Sequence, residues 1–327
     1  MTCLMPIQRY FVTAVLILLL VNSGYVGQGR RKLVEERNVR AEMNFLAGDA
    51  LQGRGSGTIF ERIAAEYVGH QFIQFGVEPA GDPGPDGRPT YVQTVPPMGS
   101  HGRQTWNAVG KISGTDANAG IVLLTSHLDH LGVRDNAPGP DKIFNGADDD
   151  ASGTVAVLEL ARVLARGKRP RRTVYFVCFG SEEMGGHGAT YFVNNLPFPK
   201  EKLIANLEFE MIGRPDSKVR SGALWLTGYE RSNLGSELAR RGAKLVADPH
   251  PSENFFQRSD NYTLAKEGII AHTVSSFGLH SDYHQVTDEP DAIDIAHMTR
   301  SINSMIRPVS WLLNSNFTPA WHPGKKP

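Results

Sequence analysis

Five short segments place carboxylates and imidazoles directly after apolar runs: Ser126-His127-Leu128-Asp129, Gly146-Ala147-Asp148-Asp149-Asp150, Ser181-Glu182-Glu183, Asn206-Leu207-Glu208-Phe209-Glu210 and Tyr283-His284. Together they offer two neutral nitrogen donors and several anionic oxygens, a mixture that suits zinc and, less selectively, other divalent cations. Two of the acidic segments are doublets or triplets, so one carboxylate can bind metal while its neighbour handles protons. Metal-assisted hydrolysis needs that division of labour, which makes an enzyme the leading expectation.

Each segment also has a plainer explanation. His127 and Asp129 are two apart and project from one face of an extended chain, so either can bind metal while the other orients it; a solvated strand end is the alternative. Three aspartates before Ala151-Ser152-Gly153-Thr154 can simply cap a helix and complement its dipole. A helix start nevertheless holds a carboxylate rigidly, as a bridge between two cations requires, and Asp149 is the residue placed for that bridge. Glu182 and Glu183 would diverge on a regular strand but address one site at a bend, where a glutamate can take a proton from an activated water. Glu208 and Glu210 share a face and compete for one assignment. A tyrosine hydroxyl at Tyr283 can donate to developing oxyanion charge.

The elements that must position these residues follow from periodicity. Helical spacing runs from Leu33 to Gly48 and from Ile59 to Phe75, the second ending before Gly76. Prolines and glycines between Pro79 and Pro89 mark a loop. Beyond it strands alternate with helices: strands at Ile121–Leu124, Thr173–Phe179, Leu203–Phe209, Ala223–Thr227 and Ile269–Val274, and helices at Ala151–Arg166, Ala189–Asn195, Asn233–Gly242 and Ile293–Leu313. The solid apolar run Ile121-Val122-Leu123-Leu124 is what a strand covered on both faces requires. The alternation predicts a three-layer α/β/α fold around a central, mostly parallel (mixed) sheet. The candidate residues then fall at the carboxyl ends of the strands, where open α/β sheets bind ligands.

The chain has 327 residues, with 34 lysines and arginines balanced by 34 aspartates and glutamates. No global field therefore favours nucleic acid or an anionic membrane, and aromatic residues are not interleaved with basic patches. Of eleven histidines most are left for surface or packing roles. Arg9 precedes the eleven-residue apolar run Phe11 to Val21 and then Asn22-Ser23-Gly24, the layout of a secretory signal over residues 1–29 and too short to span a bilayer comfortably. Its removal leaves a single domain at 30–317 and a loose tail at 318–327, in a secreted or periplasmic protein with no stable membrane association. It also removes Cys3, so Cys178, inside an apolar strand, is expected to pack as a small hydrophobe.

The ordered set His-x-Asp, Gly-Ala-Asp-Asp-Asp-Ala-Ser-Gly, Glu-Glu, an acid followed by Met-Ile-Gly, and Tyr-His resembles the co-catalytic zinc exopeptidases of the leucyl aminopeptidase and glutamate carboxypeptidase group. Phe45-Leu46-Ala47 through Gly53-Arg54-Gly55 resembles their amino-terminal lead-in and Ser259-Asp260 the segment before their substrate pocket, so the likeness spans about residues 38–312. It implies two zinc ions per chain: His127, Asp149 and Glu210 on one, and Asp149, Glu183 and His284 on the other. Glu182 would be the general base for a two-metal-activated water, Asp129 the support for His127, and Tyr283 a transition-state donor. The substrate would be a peptide with a free amino terminus. Two departures stand out. Glu210 occupies a position more often held by aspartate, and the short span between Pro97 and His127 leaves no room for the protease-associated domain that many relatives insert.

Other readings remain. A carboxypeptidase would need an arginine such as Arg54, Arg214 or Arg258 to grip a carboxylate. A glutaminyl cyclase runs on one zinc on a similar scaffold, and a non-catalytic ectodomain would have lost ligands or the base. No His-Glu-x-x-His helix or Gly-x-Ser-x-Gly elbow supports a different hydrolase.

Overall fold

The computed structural model describes residues 33–98 and 102–327. The apolar segment read as a secretory signal, with Cys3, lies outside the described residues. The strands are β1 (Glu78–Pro79), β2 (Val92–Val95), β3 (Thr105–Ile112), β4 (Ile121–His127), β5 (Gly132–Val133), β6 (Ile143–Phe144), β7 (Thr173–Phe179), β8 (Leu203–Phe209), β9 (Leu224–Leu226), β10 (Leu245–Ala247) and β11 (Ala271–Ser275). The helices are α1 (Glu36–Leu46), α2 (Ile59–Phe75), α3 (Gly153–Ala165), α4 (His187–Asn194), α5 (Leu234–Arg240), α6 (Asp260–Lys266) and α7 (Ile295–Asn314).

β4 is central because every side chain on it is buried on one face or the other. Val122 and Leu124 face a core built with Val174, Phe176, Cys178, Ala205 and Leu207, which α1, α2, α3, α5 and α7 cover. Ile121 and Leu123 face the opposite core with Tyr175, Val177 and Phe179, covered by α4 and α6 through Phe192 and Leu264. Burying each such aliphatic or aromatic side chain contributes about 1.5–3 kcal/mol, so a strand apolar on both faces is stable only between two helical layers. This is the three-layer α/β/α arrangement. Cys178 belongs to the first core, and burial pushes its thiol up to about 12.

The main sheet runs β1-β3-β7-β4-β8-β11-β9-β10, with β2 paired to β3. The β7-β4-β8-β11 centre is parallel, while β3 joins β7, and β9 joins β11, in antiparallel fashion. β4 passes to β7 on one side and β8 follows on the other, so the strand order reverses at β4. His127, the last residue of β4, pairs with Phe179, the last of β7, and the end of β8 at Phe209 lies along the same edge. Loops leaving these three strands diverge and open a crevice at their carboxyl ends.

α2 ends as the sequence predicts. Gly76 adopts a left-handed conformation, φ 78°, its amide bonds back to Ile73 and Phe72, and Val77 N donates to Phe72 O at 2.9 Å. The antiparallel edge of β2 and β3 was not anticipated, nor was α6. The segment expected to be a loose tail is instead docked. Trp321 Nε1 donates to Gly268 O at 3.1 Å and its ring packs against Phe256 and His272, because an indole with a carbonyl in reach can bury its face at little polar cost. Among the described residues no helix is long and apolar enough to cross a membrane.

Candidate metal centre

Two groups of donors meet at the crevice and share Asp149. His127, Asp149 and Glu210 form one; His130, Asp149, Glu183 and His284 form the other, with the donor atoms of each group within 4.8 Å of one another. Asp149 divides its two oxygens between them. Oδ1 lies 3.1 Å from His127 Nε2, and Oδ2 lies 3.1 Å from His284 Nε2. Glu183 Oε1 is 3.2 Å from His284 Nε2 and 2.9 Å from His130 Nδ1. The five residues expected to ligate metal are thus brought together. His130, in the same Ser126–His130 segment, was missed. A second imidazole three residues after the first was the signal, but it lies past the end of β4, where alternation no longer tells which way a side chain points.

The local fold explains why Asp149 alone of the three aspartates faces the donors. Asp150 accepts from the amides of His127 (3.2 Å), Gly153 (2.9 Å) and Met211 (3.1 Å), tying together the ends of β4 and β8 and the start of α3. Asp148 accepts from Gly213 N at 2.7 Å and lies 2.9 Å from His280 Nε2. Asp288 in turn receives the amides of Asp148 and Asp149. Asp150 is thus spent on amides at the strand ends and the helix start, and the bridging position goes to Asp149. Ser181, Met211 and His284 all hold left-handed backbone, with φ between 51° and 56°. Such residues cost free energy and persist where the surroundings over-determine them.

Three further residues brace the loops. Arg54 is buried and donates to four carbonyl oxygens, those of Leu128 (2.7 Å), Leu46 (2.6 Å), Asn145 (2.7 Å) and Gly146 (2.9 Å), so one guanidinium joins the His127 and Asp149 loops. Asp129 departs from its expected role. Its carboxylate accepts from the amides of Glu182 (2.9 Å) and Glu183 (3.2 Å) and from Ser56 Oγ (2.5 Å). His127 Nδ1 meets the Asp129 main-chain oxygen at 3.2 Å and its carboxylate only at 3.8 Å. The carboxylate chiefly positions the Glu182-Glu183 turn, and the backbone of the same residue supports the imidazole. Glu61, a buried acid, accepts from Ser181 N at 2.8 Å and so braces the same turn.

Carboxylates crowd the crevice, and without cations they hold their protons more tightly. Burial pushes the carboxyl of Glu210 up to about 8 and that of Glu208 up to about 7, against the pull of His127. Asp150, Glu182 and Asp260 are raised by burial as well, with neighbouring carboxylates adding to it. Burial opposes a charged His284, yet Asp149 and Glu183 outweigh it and bring the ring up to about 9. His127 Nε2, both ring nitrogens of His130 and Glu183 Oε1 are buried without a hydrogen-bond partner. Leaving such groups unmatched costs about 1–3 kcal/mol each. Two divalent cations would satisfy both the orphaned donors and the excess of carboxylates, and the mixture of imidazole and carboxylate suits zinc.

Glu208 does not join either group. It accepts from Asn261 N at 2.5 Å and from Thr273 Oγ1 at 3.3 Å, fixing the start of α6. Glu210→Ala is therefore expected to lower zinc stoichiometry and kcat/KM by two orders of magnitude or more, since even outer partners of metal ligands are worth ~10–100-fold in affinity or activity. Glu208→Ala should keep its metal and act mainly on thermal stability. Metal analysis and a melting curve on both variants decide between them, and the reverse order would mean that the wrong acid had been assigned.

The crevice opens on two cavities. One adjoins Glu210 and is walled by Trp225, Phe255, Phe277 and Tyr283, with Arg258 at its side. The other, about 530 Å³, is bordered by His130, Glu183, Ser56, Arg103 and Arg134. Tyr283 stacks on His284 with ring centroids 3.9 Å apart, and burial keeps its hydroxyl protonated. Of the three arginines considered for carboxylate recognition, Arg54 is engaged by carbonyls and Arg214 by Asp282 at 2.6 Å. Arg258 alone of the three reaches a cavity wall, and its nearest ion pair is a loose one to Glu253 at 3.6 Å.

Fold and donor set together give an α/β/α scaffold with two groups of metal-competent side chains at the carboxyl ends of its central strands. The chain belongs to peptidase family M28, whose sequence model matches residues 107–308. An aminopeptidase of Pseudomonas aeruginosa is 37% identical over 114 residues, a stretch that is 35% of this chain and 19% of that protein. The chain thus spans about a fifth of that relative's length. Among solved structures, the LapA aminopeptidase of Legionella pneumophila shares the fold with a TM-score of 0.65 at 18% identity, over 86% of this chain and 74% of that one. The glutaminyl cyclase of Porphyromonas gingivalis does so with a TM-score of 0.64 at 18% identity, over 85% of this chain and 98% of that one.

Proposed function

We propose that the protein is an exported zinc aminopeptidase that removes amino-terminal residues from peptides at a two-metal centre, with Glu182 as general base. The observation that carries this reading is the Asp149 carboxylate, whose two oxygens face two separate donor groups. His127, Asp149 and Glu210 would hold one ion, and Asp149, Glu183 and His284 the other. When bound, a pair of zinc ions supplies Lewis-acid polarisation of the scissile carbonyl and a lowered pKa for the attacking water.

The remaining steps fall to side chains. Glu182 is half-buried and held by its own amide to Asp129, and loss of solvent around its carboxyl raises its affinity for a proton. It takes the proton of the attacking water and delivers it to the leaving amine. Tyr283, kept protonated, donates to the oxyanion that develops on the former carbonyl. The aromatic cavity beside Glu210 would receive the side chain of the first residue, which favours apolar amino acids there. The apolar segment at residues 1–29 is the basis for export.

Arg258 at the wall of the aromatic cavity supports a second reading, a carboxypeptidase that grips the terminal carboxylate. Amino-acid anilides, free peptides and amino-blocked peptides, each assayed with and without a chelator, separate the two. Cleavage confined to free-amine substrates and abolished by the chelator is the expected result. Cleavage of blocked peptides from the carboxyl end would transfer the assignment to Arg258, and formation of pyroglutamate without hydrolysis would make the protein a cyclase.

A further inference from the structure

His130 has no place in the ligand sets proposed above. Only 1% of it is exposed, and neither ring nitrogen has a hydrogen-bond partner. Its Nδ1 lies 2.9 Å from Glu183 Oε1, but both atoms lack a hydrogen-bond partner, so proximity comes without hydrogen-bond alignment. That is the relation of two donors whose lone pairs are aimed at a common third point. The separations around this group are 2.9 Å (His130 to Glu183), 3.1 Å (His284 to Asp149), 3.2 Å (His284 to Glu183) and 3.8 Å (His130 to Asp149). They bracket the edge of roughly 3.3 Å expected for a tetrahedron whose arms are zinc–nitrogen and zinc–oxygen bonds of about 2.0 Å.

The backbone around His130 holds the ring in that place. Its amide donates to Arg54 O at 3.2 Å, and Arg54 is itself anchored to the Asp149 loop. Gly146, at φ 58°, lies flat against the ring: a Cβ there would fall 2.4 Å from His130 Cγ and 2.6 Å from Cδ2. Only glycine permits the approach, and the ring edge meets His284 with centroids 5.6 Å apart.

We infer that His130 is a fourth protein donor, through Nδ1, to the cation held by Asp149, Glu183 and His284. The two metal positions are then unequal. One has four side-chain donors, two imidazoles and two carboxylates; the other has three, His127, Asp149 and Glu210. Four protein donors close a zinc site, whereas three leave an open position. The four-donor position is the tighter, filled first and stripped last, and the three-donor position is where substrate and the attacking water exchange. This rests on the reading of the centre as a holder of two divalent ions.

The test uses metal-free full-length protein titrated with zinc against a chromogenic chelator, and with cobalt by its visible absorption. Wild type is expected to take two equivalents in two steps of unequal affinity. His130→Ala should weaken the tighter step by ~100-fold or more, beyond the usual loss of an outer partner, and alter the bands of the first cobalt equivalent. His130→Gln, which can still donate a hydrogen bond to Glu183, should behave like the alanine variant. Unchanged first-step affinity and spectra in both variants would overturn the inference, as would full recovery by glutamine, which would make His130 a positioning residue for Glu183. If alanine does not fold, the glutamine variant alone decides by the same criteria. Wild type that binds no divalent ion would instead defeat the two-metal reading itself.

Discussion

Glutamine in place of Glu182 is expected to lower kcat by roughly 10²–10⁴-fold while zinc content stays near that of wild type. The substitution keeps the shape of the side chain and leaves its amide bonded to Asp129, so the turn that carries Glu183 should not move. What it removes is the proton acceptor. Glu182 belongs to neither donor group, yet it feels the charges of His127, Glu210 and Glu183 and is therefore among them. Burial makes it a stronger base than an exposed glutamate, which is what a group must be to take a proton from water and return it to an amine. Kinetics and metal analysis on the same preparation test both halves of the expectation. Turnover within a few fold of wild type would remove Glu182 from the role, and loss of zinc in parallel with activity would turn it into a ligand.

The parts of this molecule legible in sequence are those where one physical requirement dominates. β4, β7 and β8 read directly because a parallel strand buried on both faces must be mostly apolar. α2 read to the residue because a stripe of apolar positions ends at a glycine that only a left-handed cap explains. β3 did not, since Asn107, Gly110 and Lys111 interrupt it. The first two are explained only by the fold: Asn107 donates to Gln93 and Gly188, and Gly110 lets Phe72 and Val77 close on the strand. The docked tail was equally hidden, because the partners of Trp321 are more than forty residues away. In the site, residue type and strand-end position picked out the five segments, while the choice of His127, Asp149, Glu183, Glu210 and His284 within them came from the resemblance to the zinc exopeptidases. Roles set by tertiary partners were not readable. Asp129 faces amides brought by β7, Arg54 finds carbonyls from three segments, and His130 turns inward after the strand has ended.

Replacing Asp149 should have the widest effect of any single change, because it is the one donor common to both groups. Asp149→Asn keeps the volume and the main-chain bonds to Asp288, and Asp148 and Asp150 go on tying the loops together. The neutral amide, however, cannot offer an anionic oxygen to each of two cations. Loss of an outer partner already costs ~10–100-fold in metal affinity or activity, so losing the shared direct donor is expected to cost roughly 10³-fold or more in kcat/KM, with both zinc ions weakened together. Stability provides an independent readout. A ligand at 100 times its dissociation constant stabilises the folded state by about 2.7 kcal/mol. Wild type should accordingly melt at a higher temperature when zinc is added, and Asp149→Asn should lose most of that rise while its metal-free melting stays cooperative. Glu210→Ala and His130→Ala each touch one position only, so either should retain one zinc-dependent increment. A variant at Asp149 that still bound two equivalents with wild-type affinity would mean that the ions do not share a carboxylate, and the division of its oxygens between His127 and His284 would need another explanation.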